Sequence, residues 1–212
     1  MNTAIERPIL FRGPMVQAIL SGQKTVTRRE VKRDWIQSAQ TPIETCPGIF
    51  HFWCSGEHAC PYGRPGDRLW VREAWQADAQ VNAVTPRELS QGEPIQYPAD
   101  GAVRHTGCSM ITPGKTRPSI HMPRWVSRIL LEITDVRVER LHSITDEQCS
   151  AEGARGGHGS IPGYIYNATV QEHFRYIWES TGGDYFANPW VWVINFKRIT
   201  QGQPAEGSHD DA

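Results

Sequence analysis

Two segments leave this chain little freedom in how it folds. Residues 127–141, SRILLEITDVRVERL, place apolar side chains at Ile129, Leu131 and Ile133, then at Val136 and Val138. Residues 190–199, WVWVINFKRI, put Trp190 and Trp192 on one face of an extended chain and Val191 and Val193 on the other. Side chains alternate across a strand, so both segments read as long strands, the first of them bulged. Packing is the expected role of the two tryptophans. A third strand, RLWVRE (68–73), sets Leu69 and Val71 against Arg68, Trp70 and Arg72.

Helix signals lie around these strands. The first element is expected at 14–21, where Pro14 suits a first turn, Met15, Ala18 and Ile19 recur at helical spacing, and Gly22 follows as a left-handed cap. Thr145 with Gln148 forms a capping box for a second helix that ends at Gly153. Thr169 with Glu172 opens a third, with Phe174, Ile177 and Trp178 on its buried face. Two stretches, 35–60 and 76–118, carry Pro, Gly and polar residues without periodicity and read as irregular insertions. Strands of antiparallel type plus about three helices predict an α+β domain built on a small barrel. One domain over 1–200, with a disordered tail over 201–212, accounts for the whole pattern.

With 39% hydrophobic and 21% charged residues, the chain can bury a core. No apolar run approaches a membrane span, and the amino-terminal segment lacks the features of a signal peptide, so a soluble, unprocessed, cytoplasmic protein is expected. A net charge of −1 argues against general attraction to long nucleic acids. The five cysteines fit free thiols in a reducing compartment. Cys46, Cys54 and Cys60, with His51 and His58, invite a zinc site but lack C-x-x-C knuckles, and a Cys- and His-rich hairpin is the simpler reading. No metal or cofactor is expected.

The most informative stretch is KTVTRR (24–29). Lys24, one of four lysines, lies where a helix end meets a strand. In a regular strand Lys24 and Thr27 would point to opposite faces, so they meet only if Lys24 sits in the turn before the strand begins. The pattern Gly22-x-Lys24-x-x-Thr27-x-Arg29 resembles the signature of the ASCH domains, relatives of the PUA-type RNA-binding barrels. That signature commonly has Glu where this chain has Thr27, whereas the small bacterial N4-acetylcytidine amidohydrolases of the family carry Thr there. In that subgroup Lys, Thr and a later Glu form the catalytic set, and local alignment through LHSIT (141–145) brings the Glu to Glu152. The resemblance extends over PGDRLWVRE (65–73) and the last strand. The two insertions have no counterpart in the small enzymes; the whole chain is similar to longer ASCH proteins of phages and prophages. The resemblance thus implies a PUA-like barrel and a nucleoside or short RNA as partner.

The chemistry can be argued from the residue types. A threonine hydroxyl needs a base within hydrogen-bond reach, and a lysine whose pKa is lowered by burial can serve. A carboxyl group kept protonated by apolar surroundings can protonate a departing amine. Lys24 would then activate Thr27, Thr27 would attack the acyl carbon, and Glu152 would be the acid. In the bland alternative Lys24 and Arg29 bind phosphate or pair with acids, Thr27 is an ordinary strand residue and Glu152 meets solvent.

A second patch, RPSIHMPRW (117–125), is stiffened by two prolines, and Arg124 beside Trp125 suits stacking on a base. Within the resemblance this segment precedes the strand bordering the cleft, making Ser119, His121, Arg124 and Trp125 candidate substrate contacts beside Arg28 and Arg29. Each has a structural alternative, core packing for Trp125 above all. Residues 24–33 hold five basic side chains against Glu30, enough for local recognition of phosphate or a short nucleic acid. The glycine-rich loop 156–163 lacks a phosphate-loop pattern and reads as a lid or spacer. Three readings follow: an amidohydrolase acting on an N-acylated nucleoside, a non-catalytic RNA-binding or modified-base-reading module, and an accessory phage assembly protein.

Overall fold

A computed structural model of the chain describes residues 4–36, 40–105 and 109–199. Its backbone is organised by the pairing of the two long strands, β9 (Leu130–Arg140) and β10 (Trp190–Ile199), which run antiparallel. Asn195 pairs with Asp135 but Phe196 pairs with Ile133, so Thr134 is the extra residue of a bulge. That bulge explains the phase change: Leu131 and Ile133 before it and Val136 and Val138 after it all reach the same core. Strand β9 starts later than expected, at Leu130, with Ile129 buried just ahead of it.

The main sheet adds β1 (Glu6–Leu10), β2 (Val26–Glu30) and β6 (Arg68–Arg72) in the order β1-β6-β9-β10-β2. The first element is therefore β1, not the helix, and its pairing with β6 is parallel while the other ladders are antiparallel. Backbone pairing among the described residues does not close the sheet into a barrel. Its edge strands β1 and β2 are tied instead by a side chain, Arg29 Nη2 donating to the Leu10 carbonyl at 2.7 Å, and Phe11, just past β1, packs on Phe196 of β10 with ring centroids 6.4 Å apart.

Strand β10 separates two cores. Trp190, Trp192, Ile194 and Phe196 join the larger one with Leu69, Val71 and the apolar side chains of β9. Val191 and Val193 face the smaller one, where α2 (Asp146–Ala151) and α3 (Val170–Ser180) contribute Cys149, Phe174 and Trp178. Both helices carry the reciprocal capping boxes read from Thr145 and Thr169, which satisfy backbone donors at each helix start. The remaining helix, α1 (Gly13–Leu20), has Pro at its first turn and is followed by Gly22 at φ 78°. Among the described residues the fold is a mixed α+β domain dominated by sheet, with three α-helices, none of them long and apolar enough to cross a membrane.

Neither insertion is irregular throughout. The first holds the antiparallel strands β3 (Ile43–Cys46), β4 (Ile49–Phe52) and β5 (Gly56–Ala59), and Phe50 and Phe52 of β4 seal the larger core against Trp192. Cys46 and Cys54 are exposed and Cys60 is buried; no metal-binding group of His, Cys, Asp or Glu forms among the described residues. The second contains β7 (Ile95–Gln96) and β8 (Val103–Arg104) and builds a satellite core of Trp75, Leu89, Ile95, Tyr97, Met122 and Val126. These segments escape a periodicity search because short strands and isolated bridges bury scattered single residues rather than a repeating face. The tail 201–212 lies outside the described residues.

Candidate functional site

The site begins with the turn that links α1 to β2. The Lys24 amide donates to the Ala18 carbonyl at 2.9 Å, and the Thr25 amide donates to Ala151 at 2.9 Å, so the turn is pinned between the ends of α1 and α2. Close contact of these ends depends on Gly153, at φ 99°, because a side-chain carbon there would lie 3.2 Å from the Ala18 methyl. Strand β2 starts only at Val26, so Lys24 sits in the turn, as its meeting with Thr27 requires.

Lys24 is 3% exposed and Glu152 4%. Nζ of Lys24 donates to Oε2 of Glu152 at 2.5 Å and to the Glu152 backbone carbonyl at 2.8 Å. That carbonyl belongs to the C-cap of α2, so the amine also satisfies an acceptor left open by the helix end. Burial pulls the Lys24 pKa down; the charge and hydrogen bond of Glu152 oppose it, Arg29 and Arg28 add to it, and the net direction is downward. The second Glu152 oxygen is held by Arg28 Nη1 at 3.3 Å. Arg28 Nη2 in turn donates to Gln148 Oε1 at 2.8 Å and lies 3.6 Å from Glu139 Oε2. The result is a buried relay in which Glu152 is gripped from two sides by cations.

Thr27, also buried, lines the same cavity of about 210 Å³ as Lys24, Arg28, Arg29, Ser119 and Glu152. Its hydroxyl makes no hydrogen bond to another described residue. Phe11, Phe174, Ile177 and Trp178 supply the apolar wall. The Phe11 ring lies 5.6 Å from Lys24 Nζ and 5.3 Å from the Arg29 guanidinium, which favours both cations over its face. A lysine, a threonine and a carboxyl group thus meet at an apolar cavity with a basic rim.

The structure brings together Lys24, Thr27, Arg28, Arg29, Ser119 and Glu152 and leaves three expected contacts elsewhere. His121 lines a different cavity. Arg124 pairs with Glu6 at 3.0 Å and lies 5.9 Å from the Trp70 ring. Trp125 packs against the satellite core, with the Arg104 guanidinium 5.5 Å from its ring, so that face is already covered. Arg28, expected to contact substrate, spends its terminal nitrogens on Glu152, Gln148 and Glu139. Sequence reasoning missed Phe11 and Met15 in the cavity wall. It also read Phe174, Ile177 and Trp178 only as a buried helix face, the same signal that an apolar cavity wall produces. Comparisons with protein families, curated proteins and solved structures find no match to this chain.

Proposed function

We propose that the chain is an ASCH-type, PUA-like domain that binds the base of a nucleoside in this cavity and hydrolyses an N-acyl amide such as that of N4-acetylcytidine. The observation that carries the reading is the buried Lys24–Glu152 contact at a cavity that Thr27 also lines. A volume of about 210 Å³ is below the ~300–1,000 Å³ typical of drug-sized ligands. It suits a single base. Shifting the shared proton from Nζ to Oε2 leaves a neutral amine beside a neutral carboxylic acid, the forms that base and acid catalysis need. The amine takes the Thr27 proton as Oγ1 bonds to the acyl carbon. The carbon–nitrogen bond then breaks, with the Glu152 proton passing to the departing exocyclic amine. Water cleaves the resulting ester, releasing a carboxylic acid and restoring the Thr27 hydroxyl.

Release of cytidine from N4-acetylcytidine by the purified protein, followed chromatographically, tests this reading; absence of turnover rejects it. One observation favours the non-catalytic base reader instead. The Thr27 hydroxyl is not hydrogen-bonded to Lys24, and both Glu152 oxygens are already engaged. A reader would bind acetylated and plain cytidine and convert neither.

A further inference from the structure

The short turn Ser119–His121 separates two cavities. Ser119 lines the one described above, whereas Ile120 and His121 line a second of about 560 Å³. The second cavity is walled by Arg72, Arg87 and His121 and has no acidic residue in its lining. Arg72 is held in place without being neutralised. One of its terminal nitrogens donates to the Ile120 carbonyl, its guanidinium lies 5.4 Å from the Trp70 ring, and its Nε is buried without a partner. The side chains of Arg87 and His121 are exposed and bond to no described residue. Neighbouring Arg124 has Glu6 as counter-charge, but Arg72 and Arg87 have no acidic partner among the described residues. In a chain of net charge −1, cations gathered in one concavity without counter-charge form a local field that attracts anions. Guanidinium groups match the paired oxygens of phosphate in particular.

We infer that this cavity is an anion site for the phosphate of a nucleotide whose base occupies the first cavity; the placement of the base rests on the function proposed above. Ser119 and His121 are two residues apart, at most ~7 Å between Cα atoms, so the cavities are near enough for one nucleotide to reach both. The substrate class narrows accordingly to phosphorylated nucleosides, with the free nucleoside a weaker ligand.

Calorimetric titration of the full chain with cytidine 5′-monophosphate, cytidine and inorganic phosphate tests the assignment. In wild type the monophosphate should bind about tenfold or more tighter than cytidine, as charge-assisted hydrogen bonds require. That advantage should shrink as salt is raised and disappear in Arg87→Ala/His121→Ala. Both side chains are exposed and unbonded, so the double variant should keep its fold, checked by its circular dichroism. Equal binding of monophosphate and cytidine in wild type, or an advantage that survives in the double variant, overturns the anion site and leaves the base pocket untouched. Inorganic phosphate binding that is lost in the double variant, with cytidine unbound by either protein, supports the anion site and contradicts the nucleoside reading.

Discussion

Lys24 grips Glu152 at both ends of the residue, its amine lying 2.5 Å from the side-chain oxygen Oε2 and 2.8 Å from the backbone carbonyl. Because the pair is buried, removing one partner strands the other. Glu152→Gln or Lys24→Met alone should lower stability by about 3–5 kcal/mol. The double variant should cost clearly less than the sum, since no uncompensated partner remains between them. Urea denaturation of the four proteins checks this; strictly additive costs would show that the two groups are not coupled.

The lowered Lys24 pKa sets a direction for activity against pH. The proposed mechanism uses one proton shared by Lys24 and Glu152, so kcat/KM should fall as pH rises through the lowered Lys24 value, below the ordinary lysine value of 10.5, where the pair loses that proton. For stability the sign is opposite. Between the lowered folded value and 10.5 the unfolded chain binds more protons, so this group's contribution to stability grows as pH rises through that window. A rate profile flat up to 10.5 would mean that the proton shared by Lys24 and Glu152 takes no part in catalysis.

Asp67 contributes to the acid side. Burial pushes its carboxyl up, but the amides of Ile5 at 3.0 Å and Arg64 at 3.2 Å, with the Arg7 guanidinium at 2.9 Å, outweigh burial and hold it below 3.8. Its stabilising contribution is therefore complete above 3.8 and lost as pH falls through the lowered value. Asp67→Asn should flatten the acid limb of the stability curve, as read from thermal unfolding at stepped pH; an unchanged limb would assign acid sensitivity to other groups.

The thiols should divide by burial. Cys60 and Cys149 are each pushed up to about 11, chiefly by burial, while Cys46 and Cys54 are exposed. Under native conditions at neutral pH, iodoacetamide should label Cys46 and Cys54 and spare Cys60 and Cys149, with peptide mass mapping as the readout. Rapid labelling of Cys60 would indicate that the first insertion opens readily.

The legible parts of this chain are those whose cause is local. The capping boxes at Thr145 and Thr169, the glycine ending α1 and the alternation in β9 and β10 depend on neighbours a few residues apart. Strand parity made a turn position for Lys24 the condition for its meeting Thr27, and β2 starts only at Val26. What escaped reading is set by partners distant in sequence. Arg28 looks like a free basic side chain until α2 brings Glu152 and Gln148 against it, 124 and 120 residues away. Trp125 looks like a stacking platform until Arg104 covers its ring. The three strands of the first insertion gain order by capping the core at Trp192, a contact no local pattern announces.

Thr27 decides between an enzyme and a reader. Its hydroxyl bonds to no described residue, so Thr27→Ala should cost no more than about 1 kcal/mol of stability. Its loss should nevertheless end catalysis. The most direct measurement is to quench the protein during turnover of N4-acetylcytidine and map the acyl group by peptide mass spectrometry. The proposed mechanism predicts an acetyl ester on Thr27 in wild type, with no adduct and no cytidine released by Thr27→Ala. Cytidine release that persists in Thr27→Ala at the wild-type rate would contradict it.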